Sequence, residues 1–135
     1  KFNAQFTVNA WVKKAGNNFI LDAGKMIGEQ LKIKPEQRDR KVDVYMPNAR
    51  TFQYNVSIPV PQGYTAEGLD KLNTSLDNST GSFTTTAKLE GSNVKITVTK
   101  VYKNAFEKAE KWPELLKMLD AAAAFEEAKI MFRKS

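Results

Sequence analysis

The sequence predicts a mainly β, α+β fold: an antiparallel β-sandwich-like domain with one C-terminal amphipathic helix. Three observations lead there. Apolar residues alternate with polar ones at a period of two in several stretches before Tyr102, the spacing of half-buried strands. Gly, Asn and Pro punctuate those stretches with turn chemistry. Past Tyr102 the apolar period lengthens to about 3.6 residues, the pitch of a helix. The chain has 135 residues and no composition break or solenoid-length repeat, so a single β-rich domain over 1–135 is expected.

The elements follow in order. Phe2, Ala4, Phe6, Val8, Ala10 and Val12 alternate strictly, which predicts a strand over residues 2–12. Lys13, Lys14, Ala15, Gly16, Asn17 and Asn18 then turn the chain into Phe19, Ile20 and Leu21, its hairpin partner. After Gly24 the chain reads as loop up to a basic stretch. Val42, Val44 and Met46 alternate, Pro47 and Asn48 make a turn, and Phe52, Tyr54, Val56, Ile58 and Val60 form the cleanest two-residue repeat. These two strands are expected to pair antiparallel. Pro59 and Pro61 lack the N–H a ladder needs and end the second of them. Residues 73–82 are polar and predict a surface loop or a poorly paired edge.

Phe83, Thr85, Ala87 and Leu89 face Val94, Ile96 and Val98 across Gly91, which can take the positive φ of a tight hairpin turn. Pro113 suits a first helical turn, and Leu115, Met118, Leu119, Ala122, Phe125 and Ala128 fall on one helical face. Ala121 to Ala124 add intrinsic helix propensity. Residues 130–132 fit either an extension of this helix or a closing strand.

The chain contains no Cys and no His. Cys–His and Ser–His–Asp nucleophile systems, imidazole general bases and ordinary zinc sites are thereby excluded within it. No metal or other cofactor is expected. Lys plus Arg number 21 against 15 Asp plus Glu, a net charge of +6, which permits contact with anionic partners without requiring it. The densest basic stretch holds Lys32, Lys34, Arg38, Arg40 and Lys41. It has no interleaved aromatic residues to stack bases, so it reads as a solvated loop and nucleic-acid binding is not expected. No window approaches the run of about 18 apolar residues that a membrane-crossing helix requires. The chain opens on Lys1 with no basic-then-apolar leader, which predicts a piece excised from a longer polypeptide.

Two carboxylate pairs, Glu107 with Glu110 and Asp70 with Asp77, are the remaining acid–base candidates. Glycoside hydrolysis needs two such groups held across a cleft, whereas the first pair leads into a helix start and the second brackets a polar loop. Asp77, Asn78, Ser79 and Thr80 carry oxygen ligands but lack the spacing of a calcium loop, and read as a turn. Asn73 and Asn78 head glycosylation-type triplets. Trp11, Tyr45, Tyr64, Tyr102 and Trp112 are candidates for an aromatic platform on an outer face, against burial of the same rings in the core.

Several motifs carry a resemblance. Asn17-Asn18-Phe19-Ile20-Leu21, Gln37-Arg38-Asp39-Arg40 leading into Val42-Asp43-Val44, Ile58-Pro59-Val60-Pro61-Gln62-Gly63-Tyr64, Gly81-Ser82-Phe83 and Trp112-Pro113-Glu114-Leu115-Leu116 together resemble the carboxy-terminal domain of bacterial transglutaminase-like multidomain proteins. In that family a β-rich domain of this kind follows a papain-like core carrying Cys, His and Asp. The resemblance implies a noncatalytic accessory domain, partnered with a catalytic core of the same polypeptide and exported to the periplasm or cell surface of a Gram-negative bacterium. None of the family's Cys or His residues has a counterpart here. An accessory role predicts an apolar surface patch. The alternative is a free-standing glycan- or peptide-binding module, with Trp11 and Tyr64 as binding candidates. Arg38, Arg40 and Lys41 are the candidates for anionic contacts.

Overall fold

The hairpin that the pattern marks most clearly forms the centre of the molecule. In the computed structural model, which describes residues 1–135, strand β7 (Gly81–Glu90) pairs antiparallel with β8 (Asn93–Tyr102) along ten residues. The turn between them is tight, and Gly91 supplies it with φ of +60°. The long edge strand β4 (Arg50–Pro59) joins the other side of β8, Arg50 opposite Tyr102 and Ile58 opposite Val94. Thr74–Asp77, strand β6, closes the sheet against β7, so the polar stretch 73–82 is a paired edge. The strand order is β4-β8-β7-β6.

A second four-stranded sheet is built from β1 (Val12–Ala15), β2 (Asn18–Leu21), β10 (Ile130–Lys134) and β5 (Tyr64–Glu67), in the order β1-β2-β10-β5. Residues 130–132 therefore form a strand, and a central one, not a helical extension. Every pairing in both sheets is antiparallel. Two residues each of β3 (Val44–Tyr45) and β9 (Phe106–Glu107) make a small third ladder. Strands hold 41% of the residues and helices 22%, so the fold is mainly β with one C-terminal α-helix.

That helix, α1 (Trp112–Glu126), has Pro113 in its first turn and buries Leu115, Met118, Leu119, Ala122 and Phe125 along one face. One continuous core joins this face to the inward residues of both sheets, with Phe83, Val94 and Val98 from one and Leu21, Ile130 and Phe132 from the other. Phe83 and Phe125 meet edge to face at 5.9 Å, the arrangement that aligns ring edge with ring face. A 3-10 turn, Ala23–Ile27, locks onto the helix end, the Gly24 N–H donating to the Ala128 carbonyl at 3.0 Å.

Two expectations are overturned. Residues 2–11 form no strand, and residues 1–10 are all exposed. Alternation makes a segment competent to pair, but a strand needs a neighbour with free N–H and C=O groups, and β1 begins only at Val12, where Leu21 faces it. The 42–46 segment does not pair with β4. One edge of β4 carries β8 over ten residues and its other edge is left unpaired, so occupancy of β4 is not what keeps the segment away. The segment finds β9 instead, and the Met46 N–H donates to Ala105.

Candidate functional site

A concavity of about 670 Å³ opens between the C-terminal half of α1 and the outward face of the β2-β10-β5 sheet. Strand alternation creates one wall. Phe19, Leu21, Ile130 and Phe132 turn one way into the core, so Ile20 and Met131 must turn the other way and face the cleft. The helix supplies Ala121 and Ala124, and the link from it to β10 supplies Ala128, which sequence periodicity puts on the helical face but which lies past the helix end at Glu126. Their single methyl groups leave open the space a longer side chain would fill, and Phe125 and Leu72 form an apolar floor. The volume lies within the range of small-ligand and side-chain pockets.

The rim is charged and largely ion-paired. Arg133 Nε lies 3.1 Å from Glu67 Oε1, and Lys32 reaches Glu127 at 3.1 Å. Lys129 pairs with Asp22, which is 3% exposed, and Lys25 adds a second contact at 3.3 Å. The Lys129 ammonium hydrogen-bonded to Asp22 holds its carboxyl below the usual range, although burial alone pushes it up. Lys71 stands exposed on the rim without an ion-pair partner. Thr74 brings the single hydroxyl among the lining residues. This arrangement suits recognition of an apolar group flanked by charge.

A family model described as a domain of unknown function with solved-structure structure, DUF3858, matches residues 9–132. The chain belongs to the DUF3858 family. No curated protein and no solved structure matches it. The match begins at Asn9, so residues 1–8 of the unpaired segment lie outside it, whereas the cleft falls within it except for Arg133.

In this DUF3858 domain the residues singled out by sequence are scattered. Trp11 is half-buried beside the β1–β2 hairpin, its carbonyl accepting from the Asp22 N–H at 2.8 Å. Tyr64 is half-buried too and packs on Phe19, with ring centroids 5.5 Å apart and planes tilted by 48°. The two flank opposite edge strands, three strand steps or about 14 Å apart across the sheet alone, and do not form one platform. Trp112 is buried and donates its indole N–H to the Arg38 carbonyl at 2.9 Å.

Arg38, Arg40 and Lys41 act within the chain. Arg38 grips Asp120 on α1 with two bonds of 3.1 and 2.6 Å. Arg40 lies 5.6 Å over the Trp112 ring and donates to the Val42 and Asp43 carbonyls. Lys41 pairs with Asp39 at 2.6 Å. The basic loop is thus a clasp over the helix start. Glu107 is buried and accepts from Asn104 at 2.7 Å, while Asp77 pairs with Lys103 at 2.6 Å. Asn78 Oδ1 caps the turn, accepting from Thr80 and Gly81. No group of three or more acidic residues converges as a metal site. No helix is long and apolar enough to cross a membrane.

Sequence reasoning missed two features. Tyr45 and Phe106 are both exposed and in contact, with centroids 4.8 Å apart and planes tilted by 48°; Tyr45 is a platform candidate from sequence, but its partner comes from a strand the alternation does not mark. Arg50 and Lys100 sit at inward-facing positions of β4 and β8, opposite Tyr102 and Phe52. Their signal was available: each keeps the phase of the apolar residues in its own strand.

Proposed function

We propose that this domain is a noncatalytic accessory module that packs on a transglutaminase-like or protease-like core of the same polypeptide, in an exported, periplasmic or surface-bound protein. The observation that carries the reading is the cleft between α1 and the β2-β10-β5 sheet. Its apolar floor, alanine wall and ion-paired rim suit an inserted apolar side chain from a neighbouring domain. The motif resemblance supports a transglutaminase-like core as that neighbour. Sequencing the native reading frame upstream of Lys1 tests it. A Cys, His and Asp in papain-like order supports the accessory role, and a frame encoding no such core overturns it.

A second reading rests on the exposed Tyr45–Phe106 pair, which offers two rings for a glycan or peptide. On that reading Tyr45→Ala abolishes binding in a glycan array, while Trp11→Ala and Tyr64→Ala leave it intact. An array with no bound glycan for the unaltered chain rules it out for glycans.

A further inference from the structure

Arg50 and Lys100 stand out because nothing in the chain neutralises them. Lys100 is 9% exposed, and its ammonium has one hydrogen-bond partner, the neutral Gln30 Oε1 at 3.0 Å. Arg50 Nε is buried with no hydrogen-bond partner. Neither side chain has a carboxylate oxygen within 4.0 Å. Buried cations are ordinarily paired, and leaving their donors unfilled is costly.

The β4–β8 register places them together. Arg50 is opposite Tyr102 and Phe52 opposite Lys100, all four on the inward face. The Arg50 guanidinium lies 5.0 Å from the Tyr102 ring centroid and the Lys100 ammonium 5.2 Å from the same centroid. Arg50 also covers Phe52 at 5.5 Å. One ring face satisfies part of one cation's demand, but the two like charges around a shared ring still repel, with free donors on both.

Access is open. Strand β4 has a neighbour on one side only, and Phe52 is 39% exposed. The site lies three strands from Thr74, at the other edge of the sheet from the cleft.

We propose that Arg50 and Lys100 form a binding site for an oxyanion, the planar guanidinium and the ammonium together holding a carboxylate or phosphate group beside Tyr102. A bound oxyanion fills the orphaned donors and turns the mutual repulsion into two attractions. The inference is independent of the accessory role and would stand if that role failed.

The test titrates the full chain with inorganic phosphate and, separately, with acetate, at constant ionic strength set by chloride, following the Arg50 Nε–H and Lys100 side-chain resonances by NMR. Saturable shifts at both side chains are expected, with affinity weakened about tenfold or more in Arg50→Gln and in Lys100→Met. Lys100→Arg keeps the charge and retains binding, which separates loss of the site from loss of the fold. Saturation by phosphate alone identifies a phosphate ligand, and saturation by acetate alone or by both identifies a carboxylate-accepting site. The proposal is overturned if neither anion shifts these resonances in the unaltered chain, or if binding survives in both charge-removing variants.

Discussion

Replacing Gly24 with alanine tests how the fold closes around the helix end. Gly24 lies in the 3-10 turn Ala23–Ile27, between the β1–β2 hairpin and α1. A Cβ there would stand 2.0 Å from the Phe125 carbonyl oxygen and 2.5 Å from that of Glu126, where ordinary contact starts at 3.4 Å. Both obstacles are backbone, so no rotamer change relieves them, and the turn must move about 1 Å or more from the helix. Overpacking of this kind costs about 1–3 kcal/mol. Moving the turn also breaks the Gly24–Ala128 hydrogen bond, worth about 1 kcal/mol, and loosens buried Ala23 and Ile27. The total is about 3 kcal/mol, or about 10 °C in Tm for a domain of this size. Gly28→Ala is a comparison of a different kind: it meets open space but has φ of +78° and ψ of 174°, a region essentially confined to glycine, so it costs about 1–3 kcal/mol of backbone strain without any clash. Thermal and urea unfolding followed by circular dichroism reads both. A Gly24→Ala protein within about 2 °C of the unaltered chain would refute the close docking of turn on helix.

Three further outcomes are expected. Asp22→Asn lowers stability at pH 7 by about 1–2 kcal/mol, because the deserted ammonium groups of Lys25 and Lys129 are half-exposed and rehydrate. Asp22 and Glu126 both have lowered folded-state pKa values, held down by Lys129 and by the Gln30 N–H respectively, and Glu114 is lowered to about 2 by Lys111 and Ser79. Their contribution is complete above the unfolded carboxylate pKa of about 4 and is lost as pH falls through the folded values. Urea midpoints at pH 7 and pH 3 therefore differ more for the unaltered chain than for Asp22→Asn; equal differences contradict the assignment. Deleting residues 1–10, which are exposed and precede the first ladder, changes the urea midpoint by less than about 0.5 kcal/mol equivalent, and a larger loss would show that the segment packs.

Local pairing was legible in the sequence and distant pairing was not. The β7–β8 hairpin and α1 are written in contiguous residues, where alternation, Gly91 and Pro113 all act on their neighbours. The β4–β8 ladder joins residues about forty apart, and its register depends on which edges remain after the local hairpins form. Residues 2–12 show the same limit: alternation reports which residues would share a face, not whether a partner edge exists. The either-or at 130–132 was settled by the open slot between β2 and β5, a tertiary fact. The cleft gathers residues 20, 67–74 and 121–133, and only the alanine run of α1 hinted at a recess. Arg50 and Lys100 could have been found from one principle, since a cation in the inward phase of an apolar strand demands a partner.

The most direct test of the central claim is calorimetric titration of this chain into a transglutaminase-like core, the proposed partner, comparing the unaltered chain with Ala124→Arg. Ala124 is exposed on the cleft wall, so arginine there blocks the recess while keeping a good helix former. Saturable binding weakened at least about tenfold by Ala124→Arg is the predicted result. No association, or equal affinity for the two proteins, would contradict docking through the cleft.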